Sequence, residues 1–369
     1  MLGASETGEI PTPAIVIDGP QVRRNLKRLA DYARKRNVKL RPHTKTHKST
    51  MIGRMQMDAG ATGLTVAKVG EAKVMAGVCG DILMAYPAVD PLRCGELAKL
   101  ARDVIVRVGI DSTQAANALA AAAKAAGSEI GILVDLDVGL HRTGVQTARD
   151  ALGLAMHVKR AAGLRMDGLM FYPGHVKDES AESLAELAAV EAKLAETIAA
   201  LREHGIEAGI VSGGSTPSAY QAHRMPSMTE ARPGTYVYHD MNGVRGGYAT
   251  LDECAARIHC TVVSNAVPGQ FVIDAGSKTL TSDRCGPAPE SGHGYVVEYP
   301  EARIVKLTEE HGQVDSRGCA GRTPQVGDRV TVIPNHICPC VNLQDQVWWR
   351  ESEADAPRAM RVDARGMVF

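Results

Sequence analysis

Short apolar runs alternate with amphipathic stretches along the first two thirds of the chain. The Ala-rich amphipathic stretches predict helices, such as those at 114–126 and 179–203. Strands that alternate with helices form parallel sheets with right-handed crossovers. The apolar runs have the length and the Val, Ile and Leu content of buried strands. Eight are predicted, at 38–44, 63–69, 81–89, 103–110, 129–137, 166–172, 207–213 and 228–238.

The number of predicted strands distinguishes two parallel folds. An open doubly wound sheet commonly has fewer strands and a glycine-rich turn after the first one. Here the first strand instead ends in RPHTKTHK, residues 41–48. We therefore predict an α/β fold with a closed (β/α)8 TIM-type barrel over residues 19–248.

The alternation of strands and helices stops after about residue 250. We predict a C-terminal β domain over residues 249–369, because strand-like segments follow one another there without helices between them. Residues 1–18 contain one more such segment, 13–17, which either joins the β domain or enters the barrel. The strand-like segments of the β domain are 255–265, 270–274, 294–298, 303–308 and 328–333.

Composition and charge narrow the possible partners. Lys plus Arg and Asp plus Glu are 42 each, so the formal charges cancel and no nucleic-acid partner is expected. No apolar run reaches the ~18 residues of a membrane-spanning helix, and no signal sequence is recognised. We expect a cytoplasmic protein without a membrane partner. Its eight scattered cysteines then indicate free thiols or a metal site rather than disulfides.

A lysine follows the first predicted strand. Reactive groups in (β/α)8 barrels lie at the C-terminal ends of the strands, and Lys45 occupies such a position. A basic segment taken alone is more often a solvated loop. At a barrel mouth and beside other cations, however, a lysine amine loses its proton more readily and can form a Schiff base.

Two glycine-containing segments end the last two predicted strands of the barrel. Residues 212–216 (SGGST) follow strand seven, and residues 232–236 (RPGTY) lie in strand eight. Loops at these two positions are the usual phosphate site of this fold. Glycine turns alone are common, but together with Lys45 they suggest pyridoxal 5′-phosphate (PLP), an aldehyde that carries a phosphate.

A second group of reactive side chains lies in PNHICPC, residues 334–340. If this segment is extended, His336 and Cys338 point to the same side, because alternate residues share a face. An imidazole nitrogen and a thiolate are both zinc ligands, and two protein ligands leave positions for water and substrate. A buried histidine beside a buried cysteine is the more common explanation of such a motif alone. We do not expect Cys340 to be a ligand.

These motifs together resemble the fold-type III PLP enzymes. Within them, the chain resembles the D-threonine aldolase and D-serine dehydratase group, which is related to alanine racemase. RPHxKxHK, VDxDVGxxRxGV at 134–145, SGGST and PNHxC carry the resemblance, which runs from about residue 11 to 366. It implies a barrel like the N-terminal domain of alanine racemase, followed by a β domain. It also implies a homodimer with shared active sites, in which the β domain of one subunit helps to close the site of the other.

The resemblance also implies roles for individual residues. Lys45 matches the Schiff-base lysine, and Arg142 matches an arginine near the phenolic oxygen of the cofactor. Tyr172 matches a tyrosine beside the cofactor ring. His336 and Cys338 match the metal-binding pair, with Zn²⁺ expected and Mn²⁺ as an alternative. The predicted phosphate site consists of Ser212, Gly213, Gly214, Ser215, Gly234, Thr235 and Tyr236.

Two reactions on a D-β-hydroxy-α-amino acid fit these site residues. The D configuration is implied by the resemblance alone. In dehydration, Lys45 removes the α-proton and hydroxide leaves, giving a 2-oxo acid and ammonia. In retro-aldol cleavage, a base takes the hydroxyl proton, and glycine and an aldehyde form. The resembling aldolases have a histidine six residues after the ring tyrosine, where this chain has Asp178; His175 is a nearby substitute.

We predict a PLP- and metal-dependent lyase of the D-serine/D-threonine dehydratase type, because the His-x-Cys pair resembles the dehydratases and the aldolases carry His-x-Asp. A D-threonine-type aldolase is the alternative. An amino acid racemase and a non-catalytic PLP-binding protein rank below both. A racemase would need a second acid or base and no metal, and the binding proteins resemble a barrel without a β domain.

Overall fold

The structure is a computed structural model that describes residues 10–178, 180–352 and 354–369. Residues 1–9 of the predicted segment 1–18, and residue 179 of the predicted helix, lie outside the described residues. The chain divides into two compact units. The barrel unit comprises Lys27–Lys45, Ser49–Gly234 and Met367–Phe369, and the β unit comprises Met1–Leu26, Thr46–Lys48 and Thr235–Gly366.

Strand β1 (Ala14–Asp18) and helix α1 (Gly19–Lys35) come first in the described chain. Eight parallel strands then form the sheet of the barrel unit, in the order β2-β9-β8-β7-β6-β5-β4-β3. They are β2 (Lys39–Leu40), β3 (Leu64–Val66), β4 (Asp81–Met84), β5 (Ile105–Ile110), β6 (Ile130–Leu136), β7 (Leu164–Phe171), β8 (Ile210–Gly213) and β9 (Glu230–Ala231).

Hydrogen bonds also join the two end strands of this sheet. Thr62 N donates to Leu40 O, and Thr65 N donates to Pro42 O, both at 2.8 Å. A bridge between His43 and Thr65 continues the same parallel pairing. The sheet therefore closes, which confirms the predicted (β/α)8 barrel.

Helices follow most of the barrel strands. Several of them begin after a residue whose side chain accepts a hydrogen bond from a backbone N–H of the first turn. The side chains of Asp90 and Ser112 accept hydrogen bonds from the first turns of α4 and α5. Gly127 ends α5 in the left-handed conformation, at a φ of 65°. The helices are α2 (Thr50–Asp58), α3 (Val69–Met75), α4 (Pro91–Leu100), α5 (Thr113–Ala126), α6 (Ala148–Arg160) and α7 (Ala181–Glu203).

The last barrel strand is shorter than predicted. A strand was expected over 228–238, but β9 ends at Ala231, and Thr235–Val237 form a turn of 3-10 helix. Pro233 explains the difference, because proline has no N–H to donate to a neighbouring strand. The glycine-containing segment therefore follows β9 as a loop instead of lying within a strand.

A sheet of nine strands forms the β unit. Strand β1 belongs to this sheet, where it pairs antiparallel with β10 and parallel with β16. Strands β14, β16 and β17 were not predicted. The remaining strands are β10 (Ala256–Ser264), β11 (Gln270–Ile273), β12 (Gly294–Val296), β13 (Arg303–Leu307), β14 (Gly312–Asp315), β15 (Arg329–Pro334), β16 (Gln346–Arg350) and β17 (Arg358–Arg361).

Three short helices complete the β unit: α8 (Met241–Arg245), α9 (Ser277–Leu280) and α10 (Ile337–Asn342). This unit begins at Thr235 in the second half of the chain, before the predicted boundary at 249. All eight cysteines are free and buried. None of the helices in the described part of the chain is both long and apolar enough to cross a membrane.

A buried ionic cluster connects strands of the barrel. The Arg41 side chain, only 3% exposed, donates from Nε to Glu230 Oε1 at 2.8 Å and from Nη1 to Asp81 Oδ1 at 2.6 Å. Arg107 also pairs with Asp81, and it donates to Asp167 Oδ2 at 2.7 Å. The two carboxylates raise the pKa of Arg41 against the opposing effect of burial. Removal of one member would leave buried charges without a partner.

We expect Arg41→Met to lower the free energy of unfolding by about 3–5 kcal/mol, because Glu230 is buried and loses its cation. Urea unfolding followed by circular dichroism measures this loss. Lys99→Met is the control: Lys99 is 67% exposed in its pair with Glu96, and its loss should leave the urea midpoint almost unchanged. Equal midpoint shifts in the two variants would contradict a structural role for the cluster.

Candidate active site

Buried carboxylates hold the loop that follows β6. Asp137 Oδ1 accepts hydrogen bonds from the backbone N–H groups of Gly139 and His141, both at 3.0 Å. Burial raises the pKa of Asp137, but the donors of His141 and Gly139 outweigh it and bring the pKa down to about 2. Gly144 has a φ of 107°, and a Cβ there would lie 2.4 Å from Asp137 N. The loop therefore has a fixed course past Arg142.

Arg142 and Tyr172 lie together at the carboxyl ends of β6 and β7. The Arg142 guanidinium is 5.0 Å from the centroid of the Tyr172 ring, within the range of a cation–π contact. Next to Arg142, Thr143 Oγ1 donates to Asp135 Oδ2 at 2.8 Å. The structure thus brings together the arginine predicted near the phenolic oxygen of a cofactor and the tyrosine predicted beside its ring.

His175 and Asp178, the two suggested bases, differ in their contacts. Asp178 Oδ1 accepts from Ser180 N, Ser180 Oγ and Ser183 Oγ at 3.0, 2.6 and 2.7 Å, so this carboxylate serves the start of α7. These hydrogen bonds lower the pKa of Asp178. His175 Nδ1, in contrast, is buried without a hydrogen-bond partner in the structure. His175 is therefore the better candidate for contact with a ligand.

The two glycine segments of the barrel are linked to each other. Gly214 has a φ of 73°, a left-handed turn that glycine adopts without strain. Ser215 N donates to Ser218 Oγ at 3.0 Å, and Gly234 N donates to Thr216 Oγ1 at 3.2 Å. These hydrogen bonds hold the turn after β8 together and join it to Gly234 in the turn after β9, at the two positions where the phosphate site of this fold usually lies.

Arg232 is a buried cation that the sequence motifs did not assign to the site. It donates to Ser212 Oγ at 2.9 Å and to Phe171 O at 2.8 Å. Burial lowers the pKa of Arg232 to about 10, against the attraction of Glu230 and Asp135. The Ser212 side chain is thus engaged by an arginine. Arg232 lies in the quoted segment RPGTY, but its burial has no signal in the sequence.

Lys45 lies in a short 3-10 turn after β2, and its side chain is exposed. The turn is fixed on its amino-terminal side: Thr44 Oγ1 donates to Thr65 O at 3.1 Å, and Lys45 N donates to His43 Nδ1 at 3.3 Å. The backbone of Lys45 is therefore positioned while its amine is accessible, as a residue that binds an aldehyde requires.

The segment of His336 and Cys338 is not extended throughout, because helix α10 begins at Ile337. Asp240 Oδ2 accepts from Ile337 N at 3.0 Å and caps this helix, and Pro339 fits its first turn. The two side chains still form a hydrogen bond with each other. Burial lowers the pKa of His336, but Cys338, Asp240 and Asp283 outweigh it and raise the pKa to about 10.

The surroundings of His336 and Cys338 suit a metal ion. His336 Nδ1 lies 2.8 Å from Asp283 Oδ2, a carboxylate contact that orients the ring and leaves Nε2 for a ligand bond. Cys338 Sγ lies 3.1 Å from Oγ1 of Thr46, the residue after Lys45, and 3.7 Å from Thr235 Oγ1. Imidazole and thiolate donors with open positions fit Zn²⁺.

Cys340 has a different environment from Cys338. Its Sγ donates to His336 O at 3.2 Å and to Leu280 O at 3.5 Å. Burial raises the pKa of Cys340 well above its usual value, which keeps it a thiol. In the part of the chain that the structure describes, no cluster of three or more His, Cys, Asp or Glu residues could hold a metal ion.

Curated relatives match nearly the whole chain. The D-threo-3-hydroxyaspartate dehydratase of Delftia sp. (strain HT23) is 32% identical over 89% of this chain and 91% of its own length. The D-threonine aldolase of Arthrobacter sp. is 31% identical over 91% of this chain and 88% of its own. This chain is therefore similar to proteins named for two different reactions.

Solved structures also match this chain over nearly its whole length. A D-threonine aldolase from Filomicrobium marinum has a TM-score of 0.91 and 32% identity, covering 100% of this chain and 99% of its own. The D-threo-3-hydroxyaspartate dehydratase from Delftia sp. HT23 has a TM-score of 0.87 and 28% identity, covering 96% and 98%. Its variants replace a histidine and, in a metal-free form, a cysteine by alanine, two positions apart.

Two family models cover both parts of the sequence. The model of the alanine racemase N-terminal domain matches residues 17–242, more than half of the chain, and a serine dehydratase domain model matches residues 255–349. The protein therefore belongs to the alanine racemase N-terminal domain family.

Proposed function

We propose that the protein is a PLP- and divalent-metal-dependent lyase that dehydrates a D-β-hydroxy-α-amino acid to a 2-oxo acid and ammonia. The observation that carries this proposal is the His336–Cys338 pair. Its histidine is oriented by Asp283, and its cysteine lies 3.1 Å from Thr46, the residue that follows Lys45. A family of PLP enzymes and relatives named for reactions of D-hydroxy amino acids support it.

The barrel residues support the cofactor part of the proposal. Lys45 would hold PLP covalently, with Arg142 near its phenolic oxygen and Tyr172 beside its ring. The turns at 212–215 and 234–236 would bind its phosphate through N–H and hydroxyl groups. When bound, PLP supplies an electron sink for the negative charge that develops at Cα of the substrate.

Residues of this chain supply the remaining proton and metal chemistry. The accessible amine of Lys45 would take the α-proton as a general base. His336 and Cys338 would hold a divalent ion, with Zn²⁺ expected and Mn²⁺ as an alternative. The ion would act as a Lewis acid toward the β-hydroxyl. The contact of Asp283 with Nδ1 would keep the His336 ring in the orientation that such a ligand bond needs.

The metal pair favours dehydration over aldol cleavage. The dehydratase of Delftia sp. HT23 has been solved as alanine variants of a histidine and a cysteine two positions apart, with the cysteine variant metal-free. His336 and Cys338 have the same spacing. The aldolases that the sequence resembles carry His-x-Asp instead, so the thiolate in this chain supports the dehydratase reaction.

An aldolase is the second candidate, and His175 is the observation that favours it. Cleavage of the Cα–Cβ bond needs a base for the β-hydroxyl proton, and His175 Nδ1 is buried without a hydrogen-bond partner in the structure. A D-threonine aldolase is also among the curated relatives. If this reaction is correct, glycine and an aldehyde form in place of a 2-oxo acid and ammonia.

The proposal also concerns assembly, partners and location. We propose a cytoplasmic homodimer with shared active sites, whose partner molecule is a small D-amino acid and not a nucleic acid or membrane. The balance of 42 basic and 42 acidic residues and the family resemblance support these parts. Light scattering of the purified protein tests the homodimer.

Product analysis decides between the two reactions. With D-serine and D-threonine, we expect pyruvate and 2-oxobutyrate, each with one equivalent of ammonia, measured by chromatography and an ammonia assay. His175→Gln should retain most of this activity, since dehydration needs no base on the hydroxyl. Glycine and acetaldehyde from D-threonine, together with loss of activity in His175→Gln, would replace the dehydratase proposal by the aldolase.

Lys45→Ala tests the covalent site of the cofactor. We expect loss of the visible absorbance band of lysine-bound PLP and a fall in kcat of about 10²–10⁴-fold, because the same amine serves as the general base. Lys39→Ala is the control, since Lys39 is an exposed lysine in β2, the strand that precedes Lys45. It should keep both the band and the activity. Persistence of the band in Lys45→Ala would disprove the assignment.

Metal content and activity should be lost together. We expect His336→Ala to lose the bound ion, measured by plasma mass spectrometry, and most lyase activity, while its cofactor absorbance remains. Asp283→Asn should weaken metal affinity by about 10–100-fold, because the carboxylate orients the His336 ring. Cys340→Ala should keep its metal, since this thiol donates to carbonyl groups. Metal loss in Cys340→Ala equal to that in His336→Ala would contradict the two-residue site.

A further inference from the structure

A cavity of about 520 Å³ lies within the β unit, apart from the residues of the candidate active site. None of the residues that line it belongs to the candidate active site. Its charged lining consists of three arginines (Arg24, Arg257 and Arg350), His259 and one carboxylate, Asp18. Arginines outnumber carboxylates, so the cavity has a net positive lining in a chain whose formal charges cancel.

Strand pairing explains why these side chains meet. Arg257 and His259 are two residues apart on β10, so they share a face of the sheet. In the register of the sheet, Arg257 pairs with Val16, and Asp18 pairs with Arg350 at the end of β16. Arg24 lies on α1, which directly follows β1. The cations therefore come from three separate segments that the fold brings to one place.

The arginines of the cavity lack the acidic partners that some other arginines of this unit have. Arg23, next to Arg24, forms an ion pair with Glu351 at 2.8 Å. Arg24 instead donates to Gln21 Oε1 at 2.8 Å, and Arg257 donates to Cys254 O at 3.2 Å. Within the described ranges, no ion pair is formed by Arg24, Arg257 or Arg350. Their charges therefore remain available to a ligand.

One donor in the cavity wall has no acceptor. Arg350 Nε is buried, and the structure gives it no hydrogen-bond partner. A buried N–H without an acceptor is unfavourable and is rare in folded proteins. The guanidinium has the fork shape that binds carboxylate or phosphate oxygens in pairs. An oxyanion in the cavity would satisfy this donor.

The acidic and titratable neighbours agree with an anion site. Asp18 Oδ1 accepts from Gln21 N at 2.8 Å, so this carboxylate serves the first turn of α1. Burial and the charges of Arg350, Arg329 and Arg257 lower the pKa of His259 to about 4. His259 is therefore neutral near pH 7, and the net charge of the lining is set by the three arginines and Asp18.

We propose that this cavity is a binding site for a small oxyanion with two negative charges, of the phosphate or dicarboxylate class. Three guanidinium groups and one carboxylate leave two net positive charges on the lining, which a dianion balances. A bound dianion would connect α1, β10 and β16. It would therefore stabilise the folded β unit in proportion to its concentration. The proposed lyase activity is not needed for this inference.

Calorimetric titration of the holoenzyme tests the site, since bound PLP then occupies the other phosphate-binding surface. Inorganic phosphate and succinate are titrated separately, at an ionic strength held constant with sodium chloride. We expect saturable one-to-one binding of at least one of them and a higher Tm in its presence. The tighter of the two identifies the phosphate or the dicarboxylate as the ligand class. Absence of saturable binding for both would overturn the proposal.

Matched variants locate the binding in the cavity. Arg350→Gln should weaken the affinity at least tenfold, because it removes a charge and the unsatisfied donor. Arg24→Gln should also weaken the affinity. Because Arg24 is exposed on α1 and lies outside the sheet, this substitution should not disturb folding of the β unit. Arg361→Gln is the control: it removes the same charge from an exposed position on β17. Unchanged affinity in both cavity variants, or an equal loss in Arg361→Gln, would refute the site.

Discussion

Closure of the barrel between β2 and β3 is the constraint on which the rest of the candidate site depends. β2 contains only two residues, so few backbone hydrogen bonds are available to hold this edge. Arg41, directly after β2, compensates by binding Glu230 on the neighbouring strand β9 and Asp81 on β4, the strand beyond β3. Lys45 follows four residues later. The position of its backbone is therefore set by a buried ionic cluster that takes no part in the proposed chemistry.

Beyond the ends of the barrel strands, side chains replace the hydrogen bonds that a sheet would provide. Asp137 binds the N–H groups of its own loop, and Asp178 binds the serines at the start of α7. Gly144 and Gly214 supply the positive φ angles that these tight turns need. The polar residues around the site thus fall into two groups. Some are already used to hold loops, and others, such as His175 Nδ1, have no partner within the structure.

The fold was predictable because its signal is local. The spacing of apolar residues identifies each strand and each helix of the barrel separately, and eight successive strand–helix units indicate a barrel. Residues at strand ends, such as Lys45, could be found for the same reason. Contacts between distant segments have no such signal. Asp283 contacts His336, which lies 53 residues later in the chain, and Arg232 becomes buried only when the barrel strands assemble. The early end of β9 follows from Pro233, which has no N–H to donate to a neighbouring strand.

The pair Cys338 and Cys340 shows why a motif does not specify its ligands. Both thiols lie in one Cys-Pro-Cys sequence, and an extended strand would place them on the same face. Because α10 begins at Ile337, two residues of separation turn them roughly 200° apart around the helix. Cys338 faces the hydroxyls of Thr46 and Thr235, while Cys340 donates to backbone carbonyls and stays protonated. The start of one short helix, capped by Asp240, therefore decides which thiol is available to a metal.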